Sequence, residues 1–176
     1  SALVTKAQIK KNETCLILGA TGGVGIASVE IAKAFGAKVI ACGGDDIKLE
    51  GCKEKGADYI INYKKNIMRT ELNNIKIKKV DVVIDMVGGQ IALDSVKSLN
   101  WNGRFIIIGF ASGKIPDIPA NRLLLQNARA DGLYWGELAY RDPQGIGKDF
   151  SELNILCWAN HGIFDRLCIC CNAKRF

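Results

Sequence analysis

The residues with the clearest chemical meaning stand in the segment GATGGVG, residues 19–25. Ala20, Gly22 and Gly25 follow the spacing of a G-x-G-x-x-G fingerprint, with alanine in its first position. A small Ala20 permits a sharp exit from a strand, Gly22 lets a pyrophosphate approach the backbone, and Gly25 lets the following helix pack closely. The free N–H groups that would face phosphates at the positive helix end belong to Gly23, Val24 and Gly25. The turn therefore predicts dinucleotide binding, and its alternative is a turn made for packing alone.

The second informative position lies about twenty residues after this turn, where dinucleotide-binding units usually carry an acid for the ribose. Gly44 of the segment ACGGDD stands there instead, and it brings no negative charge against a 2′-phosphate. Lys48, one turn into the next helix, can reach back to a phosphate, and Tyr63 offers a hydroxyl from the neighbouring side. Asp45 and Asp46 are close enough to take the ribose instead. These residues favour NADP, with a solvated lysine and a partly buried core tyrosine as the alternatives.

Cysteine and histidine give no sign of a metal site or of a nucleophilic triad. The cysteines of CICC, residues 168–171, lack the two-residue spacers of common zinc sites, and the single histidine, His161, lies apart from them. The sequence has no G-x-S-x-G elbow, so a Ser-His-Asp hydrolase is not expected. It also offers no good candidate for a general acid. We therefore expect no metal and assign no catalytic residue.

Composition is that of an ordinary globular protein of one domain. Of the 176 residues, 48% are hydrophobic and 24% are charged. Because no apolar run approaches the roughly 20 residues of a membrane span and the N-terminus shows no signal-peptide pattern, we expect a cytoplasmic protein without a membrane partner. The formal net charge is +6. The lysine run KIKK, residues 76–79, is best interpreted as a solvated basic loop, so nucleic acid is not the expected partner.

The elements that must position the glycine turn alternate between strands and helices. Short apolar runs predict six strands, at residues 14–18, 38–42, 59–61, 80–85, 104–108 and 130–134. Helical spacing and stop signals predict helices at residues 24–35, 46–55, 90–99, 122–127 and 147–160. The segment WNG, residues 101–103, predicts a tight turn. This alternation is typical of an α/β fold, a Rossmann-type doubly wound parallel sheet of six strands with helices on both faces.

Five longer segments carry a resemblance to a known family. They are GATGGVGIASVEIAKAFGAKVIA, GADYIINY, VVIDMVGG, LNWNGRFIIIGFASGKIP and NRLLLQNARADGLYWGE. In their order and spacing the chain resembles the zinc-independent, quinone oxidoreductase-like branch of the medium-chain dehydrogenase/reductases. The resemblance implies an NAD(P)-binding Rossmann domain at residues 1–162 and a divergent tail at residues 163–176. It also implies that the GroES-like N-terminal domain of the family, one wall of the active-site cleft, is absent from this chain.

The resemblance implies NADPH as the cofactor and a set of residues around it. The pyrophosphate would be held by Gly22, Gly23, Val24 and Gly25. The 2′-phosphate would be surrounded by Gly44, Lys48 and Tyr63, and the adenosine and ribose side would be lined by Val87. The nicotinamide end would be lined by Ile108, Gly109, Phe110, Leu133, Tyr134 and Trp135. For the three aromatic residues in this set, plain core or interface packing is the alternative.

The implied reaction is NADPH-dependent hydride transfer, without zinc, to a small-molecule acceptor, either a quinone or an α,β-unsaturated carbonyl. Family members commonly pair their sixth strands across a two-fold axis, so a homodimer through residues 130–134 is implied as well. Two alternatives stay open. One is the cofactor domain of an enoyl-thioester reductase, and the other is a non-catalytic Rossmann module that binds a nucleotide or RNA.

Overall fold

The computed structural model describes the backbone of residues 1–159 and the side chains of residues 1–151. Its central feature is a parallel sheet of six strands in the order β3-β2-β1-β4-β5-β6. The strands are β1 (Thr14–Leu18), β2 (Lys38–Gly43), β3 (Tyr59–Asn62), β4 (Val80–Asp85), β5 (Leu99–Ile107) and β6 (Arg129–Gly132). Because the strand order reverses between β1 and β4, the sheet is doubly wound with a switch point between these two strands. The predicted fold class is confirmed.

Helices cover both faces of this sheet. They are α1 (Gly23–Ala34), α2 (Asp46–Glu54), α3 (Met68–Asn74), α4 (Gly89–Val96), α5 (Ala120–Leu125), α6 (Trp135–Arg141) and α7 (Pro143–Ala159), after a short π-helical turn at Ala2–Lys6. Ile17 of β1 shares one core with Val29 of α1, whereas its neighbour Leu16 shares the opposite core with Met68 of α3. Burial on both faces explains why the strands read as continuous apolar runs in the sequence.

Two helices, α3 and α6, were missing from the sequence prediction. Met68 and Leu72 are the buried residues of α3, and α6 has no buried residue. Neither helix therefore shows the broad apolar stripe by which an amphipathic helix is recognised in a sequence. The helix α3 matters for the site because it lies in the crossover from β3 to β4, the two strands whose carboxyl ends flank the predicted adenosine side.

The prediction of a tight turn at the segment WNG was wrong. Residues 101–103 lie inside β5. Asn102 has a φ of +60°, and the pairing of β4 with β5 shifts register between Val80 and Val82. Between the Val80 and Val82 pairs β4 advances by two residues and β5 by five, so three additional residues of β5 are accommodated in an irregularity that does not end the strand. An Asn with a positive φ before a glycine is equally compatible with a turn and with an irregularity inside a strand. Only the pairing of its segment with β4 distinguishes the two.

Several predicted boundaries also moved. The helix predicted to end at Leu99 ends at Val96, because Leu99 pairs with Val80 as part of β5. The strand β6 ends at Gly132, so the predicted strand residues 133 and 134 follow it. The last helix begins at Pro143, before its predicted start.

Within the described residues, no helix is both long and apolar enough to cross a membrane. The predicted tail at residues 163–176, with the CICC cysteines, lies outside the described residues, as does His161.

Candidate functional site

The glycine turn joins β1 to α1 beside the switch point of the sheet. Gly19 has a φ of +77°, a conformation that favours glycine. The N–H groups of Gly19 and Ala20 both donate to the carbonyl oxygen of Cys42, each at 2.9 Å. The residue that turns the chain is therefore Gly19, whereas sequence reasoning gave this role to Ala20, which is fully buried. The signal for Gly19 was a glycine directly after an apolar strand.

The glycines of this turn have different reasons to lack a side chain. A Cβ on Gly25 would lie 2.3 Å from the carbonyl oxygen of Gly19 and 2.6 Å from the Cα of Ala20. A Cβ on Gly23 would meet no atom within 4 Å, and one on Gly22 would meet only the Gly19 oxygen, at 3.6 Å. Close packing of α1 on the strand exit thus accounts for Gly25. It does not account for Gly22 and Gly23, which face open space.

The first turn of α1 has no side-chain cap. Its N-cap residue is Gly22, in an extended conformation, and no acidic residue stands in the first turn. The first N–H groups of an α-helix have no intrahelical carbonyl partner, and they lie at the positive end of the helix dipole. Those of Gly23, Val24 and Gly25 are therefore disposed to bind an anion that approaches over the open side of Gly22 and Gly23.

The two carboxylates that compete for the ribose have other partners. Asp45 is the N-cap residue of α2, and its Oδ1 accepts the N–H of Lys48 at 3.1 Å. Asp46 accepts a hydrogen bond from the side-chain amide of Asn62 at 2.6 Å and another from the ammonium group of Lys65. These hydrogen bonds, that of Asn62 first, hold the pKa of Asp46 below its ordinary value. Both acids therefore serve the local structure of the loops after β2 and β3.

Gly44 and Tyr63 follow neighbouring strands. Gly44 comes directly after β2, Tyr63 directly after β3, and the N–H of Tyr63 donates to the carbonyl oxygen of Gly43 at 3.1 Å. Burial raises the pKa of the Tyr63 phenol, with a smaller contribution from Cys42, so its hydroxyl keeps its proton and can donate a hydrogen bond. Lys48 lies on the exposed side of α2. The strand ends thus bring Gly44 and Tyr63 side by side.

A buried carboxyl group, Asp85, organises the exit of β4, and sequence reasoning missed it. Its Oδ1 accepts the N–H groups of Val87 at 2.8 Å and of Gly88 at 2.9 Å. Burial raises the pKa of Asp85, and these two hydrogen bonds oppose that effect only in part. Val87 in turn lies against the glycine turn, since its Cγ2 would stand 3.1 Å from a Cβ on Gly19. The sequence signal was an acid at the end of an apolar strand, three residues before a glycine pair.

The loop after β5 is hydrogen-bonded to the loop after β4. The N–H of Ala111 donates to the carbonyl oxygen of Met86 at 3.0 Å, and the N–H of Ser112 donates to that of Val87 at 2.9 Å. The N–H of Gly89 donates to the carbonyl oxygen of Lys114 at 2.9 Å. These bonds bring the predicted residues Ile108, Gly109 and Phe110 next to Val87.

The predicted residues after β6 divide into one buried and two exposed side chains. The N–H of Leu133 donates to the carbonyl oxygen of Ile107 at 2.8 Å, and its side chain packs in the core that contains α1. Tyr134 is 79% exposed and Trp135 is 52% exposed, and across the sheet edge Phe110 is 39% exposed. Plain core packing therefore accounts for Leu133 but not for the three aromatic residues.

Two clefts are lined by residues of both α3 and α4. One, of about 640 Å³, is lined by Tyr63 and Val87 among others, so the structure brings these two predicted residues together. A neighbouring cleft of about 620 Å³ is lined by five basic side chains, those of Arg69, Lys78, Lys79, Lys97 and Arg122. Two lysines of the KIKK run thus belong to a wider basic surface, which the interpretation as a solvated loop did not anticipate.

Metal-ligating residues do not gather in the part of the chain that the structure describes, where no group of three or more His, Cys, Asp or Glu side chains could hold an ion. Its cysteines Cys15, Cys42 and Cys52 are buried and unpaired.

Comparison with protein families gives a match over residues 23–150, to the family described as zinc-binding dehydrogenase. Among curated proteins, the chain is 39% identical over 154 residues to quinone oxidoreductase-like protein 2 of Mus musculus, which covers 86% of this chain and 44% of that protein. It is 41% identical over 158 residues to the protein of the same name in Bos taurus, which covers 89% of this chain and 45% of that protein. The chain therefore spans less than half the length of these relatives.

Solved structures with the same architecture include one of similar size. This is the nucleotide-binding subdomain of the enoylreductase domain of PpsC from Mycobacterium tuberculosis, 26% identical with a TM-score of 0.77 and covering 90% of this chain and 88% of that one. Another is the quinone oxidoreductase from Thermus thermophilus, reported together with its complex with NADPH. It is 26% identical with a TM-score of 0.70 and covers 84% of this chain and 46% of that one.

Proposed function

We propose, from the premise that this chain belongs to the zinc-binding dehydrogenase family and there to the quinone oxidoreductase-like branch of the medium-chain dehydrogenase/reductases, that it is the NADPH-binding part of an oxidoreductase. Residues 1–162 form this Rossmann domain. The acceptor is a quinone or an α,β-unsaturated carbonyl, and no zinc takes part. The names of the curated relatives support a quinone as the acceptor, and the pyridine nucleotide is supported by the Thermus thermophilus quinone oxidoreductase, which was solved in complex with NADPH.

The observation that carries this proposal is the open space above Gly22 and Gly23. Neither glycine needs to lack a side chain for the packing of the protein itself. The uncapped first turn of α1 opens into the same space. A pyrophosphate there would accept hydrogen bonds from the N–H groups of Gly23, Val24 and Gly25, as at other helix N-termini that bind phosphate.

The choice of NADPH over NADH is supported by the partners of Asp45 and Asp46. An acid that binds the ribose must be free to accept from its hydroxyls. One carboxylate oxygen of Asp45 instead caps α2, and both oxygens of Asp46 are held, by Asn62 and by Lys65. Gly44 leaves the position without a negative charge, Lys48 lies on α2, and Tyr63 directly follows β3.

NADPH, when bound, supplies the hydride, and the chain holds the cofactor in one orientation. The N–H groups at the start of α1 would hold the pyrophosphate, and Val87 would support the adenosine and ribose side. Ile108, Gly109 and Phe110 line the nicotinamide end from one side, and the segment from Leu133 to Trp135 lines it from the other. The exposed aromatic side chains exclude water when an acceptor covers them. We assign no residue of this chain to proton transfer.

An enoyl-thioester acceptor is the second candidate. Two of the solved structures with this architecture come from enoyl reductase domains, and the one from a polyketide synthase has a TM-score of 0.75 and 26% identity. The chain spans 44% of a curated relative, and its described residues do not distinguish the two acceptors. The alternative of an RNA-binding module finds support in the basic cleft beside α3. The residues that line this cleft include no aromatic side chain on which bases would stack, so we rank it below the enzyme.

Calorimetric titration of the chain with NADPH and with NADH tests this function. We expect a preference for NADPH, and a loss of that preference in Lys48→Ala. In Gly23→Ala the new methyl group fills the open space, so we expect NADPH affinity to fall about tenfold or more while the melting temperature holds, since alanine favours a helix over glycine.

Gly51→Ala is the matched control, since Gly51 is also helical and its Cβ also meets no atom within 4 Å. It should leave NADPH affinity unchanged. Equal affinities for NADPH and NADH in the wild type, or a preference for NADH, would overturn the choice of NADPH. Unchanged affinity in Gly23→Ala would overturn the pyrophosphate site.

A further inference from the structure

The side chain of Lys64 lies across the backbone of Gly44. A Cβ on Gly44 would stand 2.6 Å from the Lys64 Cε, 3.0 Å from its Cδ and 3.3 Å from its Cγ. The lysine stem therefore occupies the space into which any larger residue at position 44 would project. This is the position at which dinucleotide-binding units usually carry the ribose-binding acid. In this protein an aliphatic stem that ends in an ammonium group takes that place.

The turn after β3 holds the main chain of Lys64 beside Gly44. The N–H of Lys64 donates to the side-chain oxygen of Asn62 at 3.0 Å. The same side chain of Asn62 donates its amide N–H to Asp46 at 2.6 Å. These two hydrogen bonds tie the turn to the start of α2. The side chains of Lys64 and Lys65, which follow in this turn, have different partners.

The two adjacent lysines have different electrostatic partners. The ammonium group of Lys65 forms an ion pair with Asp46. Among the ion pairs of the described residues, none involves Lys64. Asp46 therefore neutralises Lys65 and, through Asn62, orients the neighbouring Lys64 toward Gly44.

We propose that Lys64 selects the cofactor by binding the 2′-phosphate of NADPH over Gly44. This inference rests on the proposed function and adds a residue to it. A charged phosphate forms an ion pair with the ammonium group in addition to the hydrogen bond, whereas a ribose hydroxyl offers the same ammonium group only an uncharged acceptor. Gly44 is required because a side chain there would displace the lysine. The absence of an acid and the presence of Lys64 are two parts of the same site.

The test compares Lys64→Gln with Lys65→Gln, two neutralising changes at adjacent exposed positions. Calorimetry measures the dissociation constants of NADPH and NADH for the full chain and each variant. In Lys64→Gln we expect the NADPH constant to rise about tenfold and the NADH constant to change less than about twofold. Lys64→Arg should restore the preference. In Lys65→Gln the ratio of the two constants should stay within about twofold of the wild-type ratio.

A second variant tests the role of Gly44. In Gly44→Asp the new side chain displaces only the flexible end of Lys64 and supplies the missing acid, so we expect the preference to change from NADPH to NADH. A wild type that prefers NADPH, with the same ratio in Lys64→Gln, would overturn this inference and leave the proposed function intact. A wild type that binds neither nucleotide would overturn the proposed function itself.

Discussion

The Oδ1 of Asp85 accepts the N–H of Val87 at 2.8 Å, inside a strand exit where Asp85 is 0% exposed. The main-chain oxygen of the same Asp85 accepts the N–H of Ile108 at 2.8 Å. One buried residue therefore connects the loop proposed to support the ribose with the strand end proposed to line the nicotinamide. Its second carboxyl oxygen, Oδ2, has no hydrogen-bond partner among the described residues. This arrangement predicts a specific pH dependence of stability.

Asp85 should favour folding at low pH. Because burial raises its pKa in the folded state, the folded protein binds this proton more tightly than the unfolded chain does. The contribution to the free energy of unfolding is present below the ordinary carboxyl pKa of about 4 and is lost as the pH rises through the raised value. Asp85→Asn cannot ionise. Urea unfolding should therefore show the wild type losing stability relative to Asp85→Asn as the pH rises above about 4. A difference that does not change with pH would contradict this.

Gly25→Ala should destabilise the fold. The new Cβ would stand 2.3 Å from the backbone oxygen of Gly19, and backbone atoms cannot rotate away as a side chain can. We expect a loss on the order of 2 kcal/mol in the free energy of unfolding, measured by urea denaturation, since overpacking forces a backbone shift. Gly23→Ala changes the same element by the same methyl group, into open space, and should not destabilise it. Equal losses in the two variants would show that the packing argument is wrong.

Arg104 should be one of the charged residues whose substitution lowers the free energy of unfolding the most. It is 8% exposed, its two terminal nitrogens bind the two oxygens of Glu13 at 2.8 and 2.7 Å, and its Nε donates to the carbonyl oxygen of Ala7 at 2.9 Å. Arg104→Ala should lower the free energy of unfolding by on the order of 3 kcal/mol, because it leaves the carboxylate largely buried without its partner. Arg141→Ala removes an exposed pair with Glu137 and should cost less than about 1 kcal/mol. Thermal unfolding of both variants measures the contrast.

The same pair predicts a pH dependence of the opposite sign to that of Asp85. Burial alone would raise the pKa of Glu13, but the hydrogen bonds and charge of Arg104, with help from Lys10, lower it below the ordinary value. The stabilisation is therefore present above the ordinary pKa of about 4 and is lost as the pH falls through the lowered value. The advantage of the wild type over Glu13→Gln should shrink on acidification below about pH 4 in urea unfolding. An advantage that grows on acidification would contradict the assignment.

The sequence predicted the site residues that depend on spacing along the chain. It missed those that depend on which strands lie side by side. Residues of the glycine turn were identifiable because strand, turn and helix follow each other in the chain. Asp85 was not, since its role depends on loops that meet after β4 and β5. Lys64 was not, because its contact with Gly44 exists only where β2 and β3 lie side by side. The helix α3 was missed because its two buried residues are too few for a periodic signal.

The edge of β6, which no other strand of the described residues covers, should support a homodimer, as the family resemblance implied. In a parallel pair, alternate residues of an edge strand direct their N–H groups to the neighbour and to the open side. The N–H of Leu133 binds Ile107 of β5, so the N–H of Gly132 points to the open edge. Gly132→Pro removes this donor and leaves the bonds to β5 in place, and proline is tolerated on edge strands. We therefore expect light scattering to find a dimeric wild type and a monomeric, folded Gly132→Pro.

Gly132→Ala is the matched control for this experiment. A Cβ on Gly132 meets no atom within 4 Å, so alanine fits the strand and keeps the N–H group. Its dimer should dissociate at a protein concentration similar to that of the wild type. If both variants become monomers, the interface depends on the close approach of two chains that glycine permits, and not on strand pairing. If the wild type is already a monomer, or Gly132→Pro stays a dimer, the edge of β6 is not the interface. Strand pairing predicts that only the variant without the N–H group dissociates, because the lost donor leaves a carbonyl oxygen of the partner strand unpaired at the interface, which costs about 1 kcal/mol or more.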